Sequence, residues 1–109
     1  MEFEFFETAI FTKRIQAILE DEEYAELQAD LIQKPESGNL IPGGKGLRKL
    51  RGSAEGKGKR GGIRIIYYLY LERRRIYMIY AFRKSDQADL TAPQLKMLTE
   101  YVKRKGGIA

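Results

Sequence analysis

Polar and apolar positions alternate over residues 2–6 (Glu-Phe-Glu-Phe-Phe), the pattern of a short strand. Over residues 8–19 the spacing changes. Phe11, Ile15, Ile18 and Leu19 recur at helical intervals. Asp21, Glu22 and Glu23 form an acidic first turn suited to a helix N-terminus, and Tyr24, Leu27, Leu31 and Ile32 continue as one apolar stripe. Pro35 ends that helix, so the two helical stretches predict a hairpin. Residues 35–46 carry two Pro and four Gly and read as a loop. Leu47 to Arg51 alternates apolar and basic, as a strand does. Residues 52–62 predict a glycine-rich basic turn, and Ile63 to Leu71 is a strand rich in Ile and Tyr. Residues 72–75 are a polar turn, and Ile76 to Phe82 a further strand paired with the one before. Thr91-Ala92-Pro93-Gln94 has the form of a capping box with proline in the first turn, and Leu95, Leu98 and Val102 mark a last helix. The order β-α-α-β-β-β-α predicts an α+β fold. A small antiparallel sheet carries an N-terminal helical hairpin and a C-terminal helix, in one domain over residues 1–109.

Composition narrows the chemistry. The chain has no Cys and no His, which excludes disulfides, thiol nucleophiles, Cys/His metal sites and histidine acid–base schemes. No apolar run reaches about 18 residues, so no membrane span is expected. The start of the chain is acidic where an export signal would be basic, which predicts a cytoplasmic protein. Charge is divided unevenly. Residues 1–38 hold ten acids and three bases, a net of −7; residues 39–109 hold five acids and seventeen bases, a net of +12. Between Lys45 and Arg64 stand eight cations (Lys45, Arg48, Lys49, Arg51, Lys57, Lys59, Arg60, Arg64) and one acid, Glu55. The plain explanation of such a run is a solvated loop. The alternative is a polyanion site, with nucleic acid a better match than membrane, because no basic helix here carries a wide apolar face.

The glycines do not form a phosphate loop: Arg51 stands where the first Gly of a Walker motif would precede Gly56-Lys57. Strand parity instead puts Arg64 on one face with Ile66, Tyr68 and Tyr70. A hairpin about residues 72–75 brings Arg83 and Lys84 close to Arg64, with Lys57, Lys59 and Arg60 just upstream. Cations gathered in this way repel one another until an anion arrives. Such a site suits RNA cleavage, since RNA carries its own nucleophile, the 2′-OH. A lysine among cations can serve as base, and an arginine fork can hold the pentavalent phosphorane. Tyr68, Tyr80 and Phe82 are candidates for stacking on unpaired bases, with sheet core as the simpler alternative for each.

Gly46-Leu47-Arg48-Lys49-Leu50-Arg51 and Gly56-Lys57-Gly58-Lys59-Arg60-Gly61-Gly62-Ile63-Arg64, with Lys34-Pro35 before them and Leu90-Thr91-Ala92-Pro93-Gln94 after, resemble the HigB branch of the RelE/ParE toxin superfamily. The resemblance runs over nearly the whole chain. It implies the toxin of a type II toxin–antitoxin system, an mRNA endonuclease that works in the ribosomal A site without a metal or other cofactor. It also implies a cognate antitoxin, of helix-turn-helix type and encoded nearby, with the ribosome and its mRNA as the other partners. By the same resemblance Arg64 is the transition-state arginine, Lys57 and Lys59 lie in the segment that supplies the base, and Lys84 is the cation after the last strand. Lys45, Arg48, Lys49, Arg51, Arg60 and Arg83 would bind nucleic acid with the three aromatics. The chain departs from some relatives in having no tyrosine over Gln87-Ala88-Asp89-Leu90, which leaves Lys84, then Tyr80, as the expected proton donor. The competing expectation is a relative that does not cut RNA, either a ParE-like gyrase inhibitor or a module that only binds antitoxin.

Overall fold

The computed structural model describes residues 2–54 and 59–104, without the side chains of 53–54 and 59–61. The elements are β1 (Glu4–Glu7), α1 (Ala9–Ile18), α2 (Asp21–Gln33), β2 (Asn39–Leu40), β3 (Leu47–Ala54), β4 (Lys59–Tyr70), a 3-10 turn (Leu71–Arg73), β5 (Arg75–Arg83) and α3 (Ala92–Arg104). They form one five-stranded sheet in the order β1-β5-β4-β3-β2. Two features go beyond the sequence expectation. The two-residue strand β2 comes out of the predicted loop, and β1 pairs parallel to β5, so the sheet is antiparallel except at that edge.

The chain starts and stops its helices with its own side chains. Thr8 caps α1: its Oγ1 accepts the Phe11 N–H at 3.0 Å and donates to the Ile79 carbonyl at 2.8 Å. Glu20 and Glu23 form a reciprocal capping box at the start of α2. At α3 the Thr91 N–H donates to Gln94 Oε1 at 2.9 Å, and the Gln94 N–H donates to Thr91 Oγ1 at 3.1 Å. This is the predicted box.

Each face of the sheet buries its own cluster. Phe11, Ile15, Ile18, Leu19 and Leu31 of the helical hairpin pack on Ile63, Ile65, Tyr67, Ile76, Met78 and Ala81. On the other face Val102 packs on Leu47, Ile66, Ile79 and Phe82, with Leu95, Leu98 and Tyr101 half-buried around them. The β4–β5 ladder slips by one residue. Ile66 pairs with Tyr80 and Tyr67 with Met78, which leaves Ile79 as a bulge. A bulge inverts the facing of everything beyond it. Ile76 and Met78 point to the hairpin side, whereas Tyr80 and Phe82 point to the α3 side.

Main-chain groups at the sheet margins are satisfied from the helical side. β1 pairs only with Arg75–Met78, so the rest of β5 is an edge. There Thr8 bonds the Ile79 carbonyl and Arg14 Nε donates to the Ala81 carbonyl. The loop after α2 is pinned by Tyr67, whose hydroxyl donates to the Pro35 carbonyl at 2.7 Å and accepts the Gly38 N–H at 2.9 Å. Gly38 fits because a Cβ there would lie 2.7 Å from the Tyr67 ring. Among the described residues no helix is long and apolar enough to cross a membrane.

Candidate nucleic-acid site

Strand pairing assembles the site at one end of the α3 face. Arg51 lies directly across from Arg64, and Lys49 directly across from Ile66, so all three cations share that face. Like charges opposed in this way repel, and the structure supplies a compensating anion. Asp89, in the loop between β5 and α3, takes the Lys49 ammonium at 2.9 and 3.0 Å on its two carboxylate oxygens. Its Oδ1 also accepts the Leu90 N–H at 2.8 Å. The Lys49 hydrogen bond holds the Asp89 carboxyl below its ordinary range. Partial burial opposes this, and the Leu90 N–H and the charges of Lys49 and Arg64 reinforce it. Gln87 fastens the same loop, its amide donating to the Asp89 carbonyl and to Gln94 Oε1, both at 2.8 Å.

Arg64 itself is 8% exposed, and its guanidinium donates to the Ile63 carbonyl at 3.2 Å. The structure buries it on the strand, close enough to the loop after β5 for its charge to act on Asp89. Lys84 is exposed and follows β5, with its N–H on the Gly62 carbonyl at 2.6 Å, one ladder step from the Ile63–Arg83 pair.

The Asp89 carboxylate is held by Lys49 of β3 and favoured by the charge of Arg64 on the adjacent β4, so this place favours an anion. A family model described as the RelE toxin of the RelE/RelB toxin–antitoxin system covers residues 4–107. The chain belongs to the RelE toxin family. Its fold is also similar to a solved structure of an E. coli RelE double mutant in the free state. That match has a TM-score of 0.58 and 16% identity, and covers 95% of this chain and 98% of that one.

Within this RelE fold several predicted site residues lie elsewhere. Arg83 pairs with Ile63 on the hairpin face and donates to the Ala17 carbonyl at 2.9 Å, at the last turn of α1. It was expected beside Arg64; the bulge at Ile79 turns it away. Arg48 was expected to bind nucleic acid. It pairs with Tyr67 and donates to the carbonyls of Gly38 at 2.7 Å and Glu36 at 3.3 Å, which ties down the loop after α2. Phe82 is fully buried, so it is core and offers no face to a base. Tyr80 is half-buried, with the Arg14 guanidinium 4.9 Å from its ring centre. Tyr68 is half-buried with the Gly46 backbone against its ring, and burial, then the neighbouring Tyr70, raises its hydroxyl pKa. Lys45 is exposed at the opposite end of the sheet. Lys57 lies outside the described residues. Lys59 and Arg60 are placed only as strand backbone, with Lys59 across from Ala54.

The sequence reading missed the place of Lys49 and Asp89 at the centre. Lys49 was grouped with the general basic surface, and Asp89 was noted only as lying in a stretch without tyrosine. Strand parity with Arg64 could have promoted Lys49 and Arg51. Nothing local in the sequence links Lys49 to a carboxylate forty residues away.

Proposed function

We propose that this RelE-family chain is a ribosome-dependent mRNA endonuclease of the HigB kind, acting without a metal by 2′-OH attack. The observation that carries the reading is the Asp89 carboxylate, paired with Lys49 and lowered in pKa by that hydrogen bond and by the charge of Arg64, with Arg51 across the ladder from Arg64. An exposed Lys–Asp pair contributes under about 1 kcal/mol, so a phosphodiester can displace Asp89 at small cost. In the bound state Arg64 and Arg51 hold the non-bridging oxygens and stabilise the added negative charge of the phosphorane. The 2′-oxygen bonds to phosphorus and the bond to the 5′-oxygen breaks, leaving a cyclic phosphate and a 5′-hydroxyl. Lys57 or Lys59 takes the 2′-OH proton, as the family resemblance implies. Lys84 or Lys49 returns one to the leaving oxygen. The ribosome presents the mRNA, and a cognate helix-turn-helix antitoxin covers the basic face in the resting cell cytoplasm.

A reconstituted translation reaction read by primer extension tests the proposal. Codon-spaced cuts in translated mRNA are the expected result, lost in Arg64→Ala and reduced in Lys49→Ala. Intact mRNA with accumulating gyrase–DNA breaks would move the chain to the ParE side of the superfamily.

A further inference from the structure

Among the described non-glycine residues two have a left-handed backbone, Lys45 (φ 52) and Arg74 (φ 55). This conformation presses Cβ on the following carbonyl and is disfavoured for every side chain but glycine's, with Asn and Asp the usual exceptions. The chain has glycine to spend, and in the Lys45 turn it does so: Gly43 (φ 74) and Gly46 (φ 102) are the other left-handed positions there. Both positions that retain a side chain are cationic and exposed. They also lie at the same end of the sheet. Leu47 pairs with Tyr68 and Tyr70 with Arg75, so the turns holding Lys45 and Arg74 flank the same end of β4.

Arg73 stands beside Arg74 on the apical turn, also exposed. Among the described residues Lys45, Arg73 and Arg74 have no ion pair, and Glu72 is the one carboxylate on that turn. Arg75 differs: it lies over the Phe6 ring at 5.2 Å and 3.7 Å from Glu4. The zone is six residues along β4 from Arg64, about 20 Å at strand rise, which is too far for the nucleotides flanking one scissile linkage to reach.

We infer that Lys45, Arg73 and Arg74 form a second RNA-backbone contact, a docking edge for folded RNA at the end of the sheet opposite the cleavage site. Backbone strain retained at solvent-exposed turns points to function in the side chain. Three exposed cations with no ion pair among the described residues suit phosphates. The ribosomal identity of that RNA rests on the reading above; the contact itself does not.

The test is the double variant Lys45→Gly/Arg74→Gly. Glycine fits both backbones, so the melting temperature should equal or exceed that of the unsubstituted protein. Binding to purified ribosomes and to a folded RNA hairpin, measured across a salt series, should weaken about tenfold near 0.15 M salt. The slope of log K against log salt should fall by about 1.4 to 1.8. Unaltered RNA binding overturns the inference, as does a loss seen only with anionic lipid vesicles or only with the antitoxin. If the unsubstituted protein binds ribosomes through this edge yet cuts nothing, the endonuclease reading fails and the docking edge stands.

Discussion

Arg83 and Arg64 lie one ladder step apart at the same end of the sheet, on opposite faces. Arg83 donates to a main-chain carbonyl, as do Arg14 and Arg48. These three arginines complete the fold: each satisfies a carbonyl that the sheet edge, a helix end or a loop would otherwise leave to water. Lys49 is paired instead with a side-chain carboxylate, Asp89, on which the charge of Arg64 also acts, although the Arg64 guanidinium itself donates to the Ile63 carbonyl. A carbonyl fixed in the chain cannot be exchanged for a ligand, whereas a side-chain carboxylate can. Charge alone does not distinguish a binding cation from a structural one; an exchangeable anion beside it does.

The sharpest way to break that contrast is to remove each arginine in turn. Arg64→Ala should lower mRNA cleavage by about 10²–10³-fold, the cost of one preorganised donor to a charged transition state. Its melting temperature should stay close to that of the unsubstituted protein. A cleaving Arg64→Ala protein would take the phosphorane role from this residue.

Smaller effects are expected where the fold is tied. In Gly38→Ala the added Cβ meets the Tyr67 ring at 2.7 Å and its hydroxyl oxygen at 2.9 Å. The buried ring must shift and strain its bond to the Pro35 carbonyl, at a cost of about 1–3 kcal/mol in urea unfolding. Arg83→Ala leaves the Ala17 carbonyl to solvent and should cost about 1–2 kcal/mol, with cleavage retained. Loss of cleavage in a stable Arg83→Ala protein would return this arginine to the site.

The parts of the molecule written in local pattern were legible in the sequence. The stripes of α1 and α2, the Thr91–Gln94 cap and the Ile-Tyr strand β4 needed only periodicity and capping rules, because neighbours along the chain decide them. Arg64 was legible by parity within one strand. Arg83 and Phe82 were misplaced because one bulged residue, Ile79, inverts the facing of the strand beyond it, and no residue type announces a bulge. β2 and the parallel pairing of β1 were hidden for a related reason: a short edge strand is fixed by its partner's unpaired groups, not by its own composition. The Lys49–Asp89 pair depends on how the 84–91 loop returns over β3, which is purely tertiary.

The least effect on stability, and the most informative about the site, belongs to Asp89→Asn. The folded Asp89 carboxyl sits below its unfolded value of about 3.9, first because of the Lys49 hydrogen bond. The charged pair therefore stabilises the fold above the unfolded pKa, and the contribution is lost as pH falls through the folded one. With 58% of the Asp89 side chain exposed, solvent screens the pair and the contribution is under about 1 kcal/mol. Urea midpoints of Asp89→Asn and the unsubstituted protein should differ slightly at neutral pH and converge as pH falls through the lowered folded pKa of Asp89. Inorganic phosphate separates a structural pair from an occupied anion site. If Asp89 holds the place of a phosphate, the ion should stabilise Asp89→Asn more than the unsubstituted protein, because the variant presents the same cations with no competing carboxylate. Equal stabilisation of both would mean that the pair is an ordinary surface contact and that the phosphate enters elsewhere.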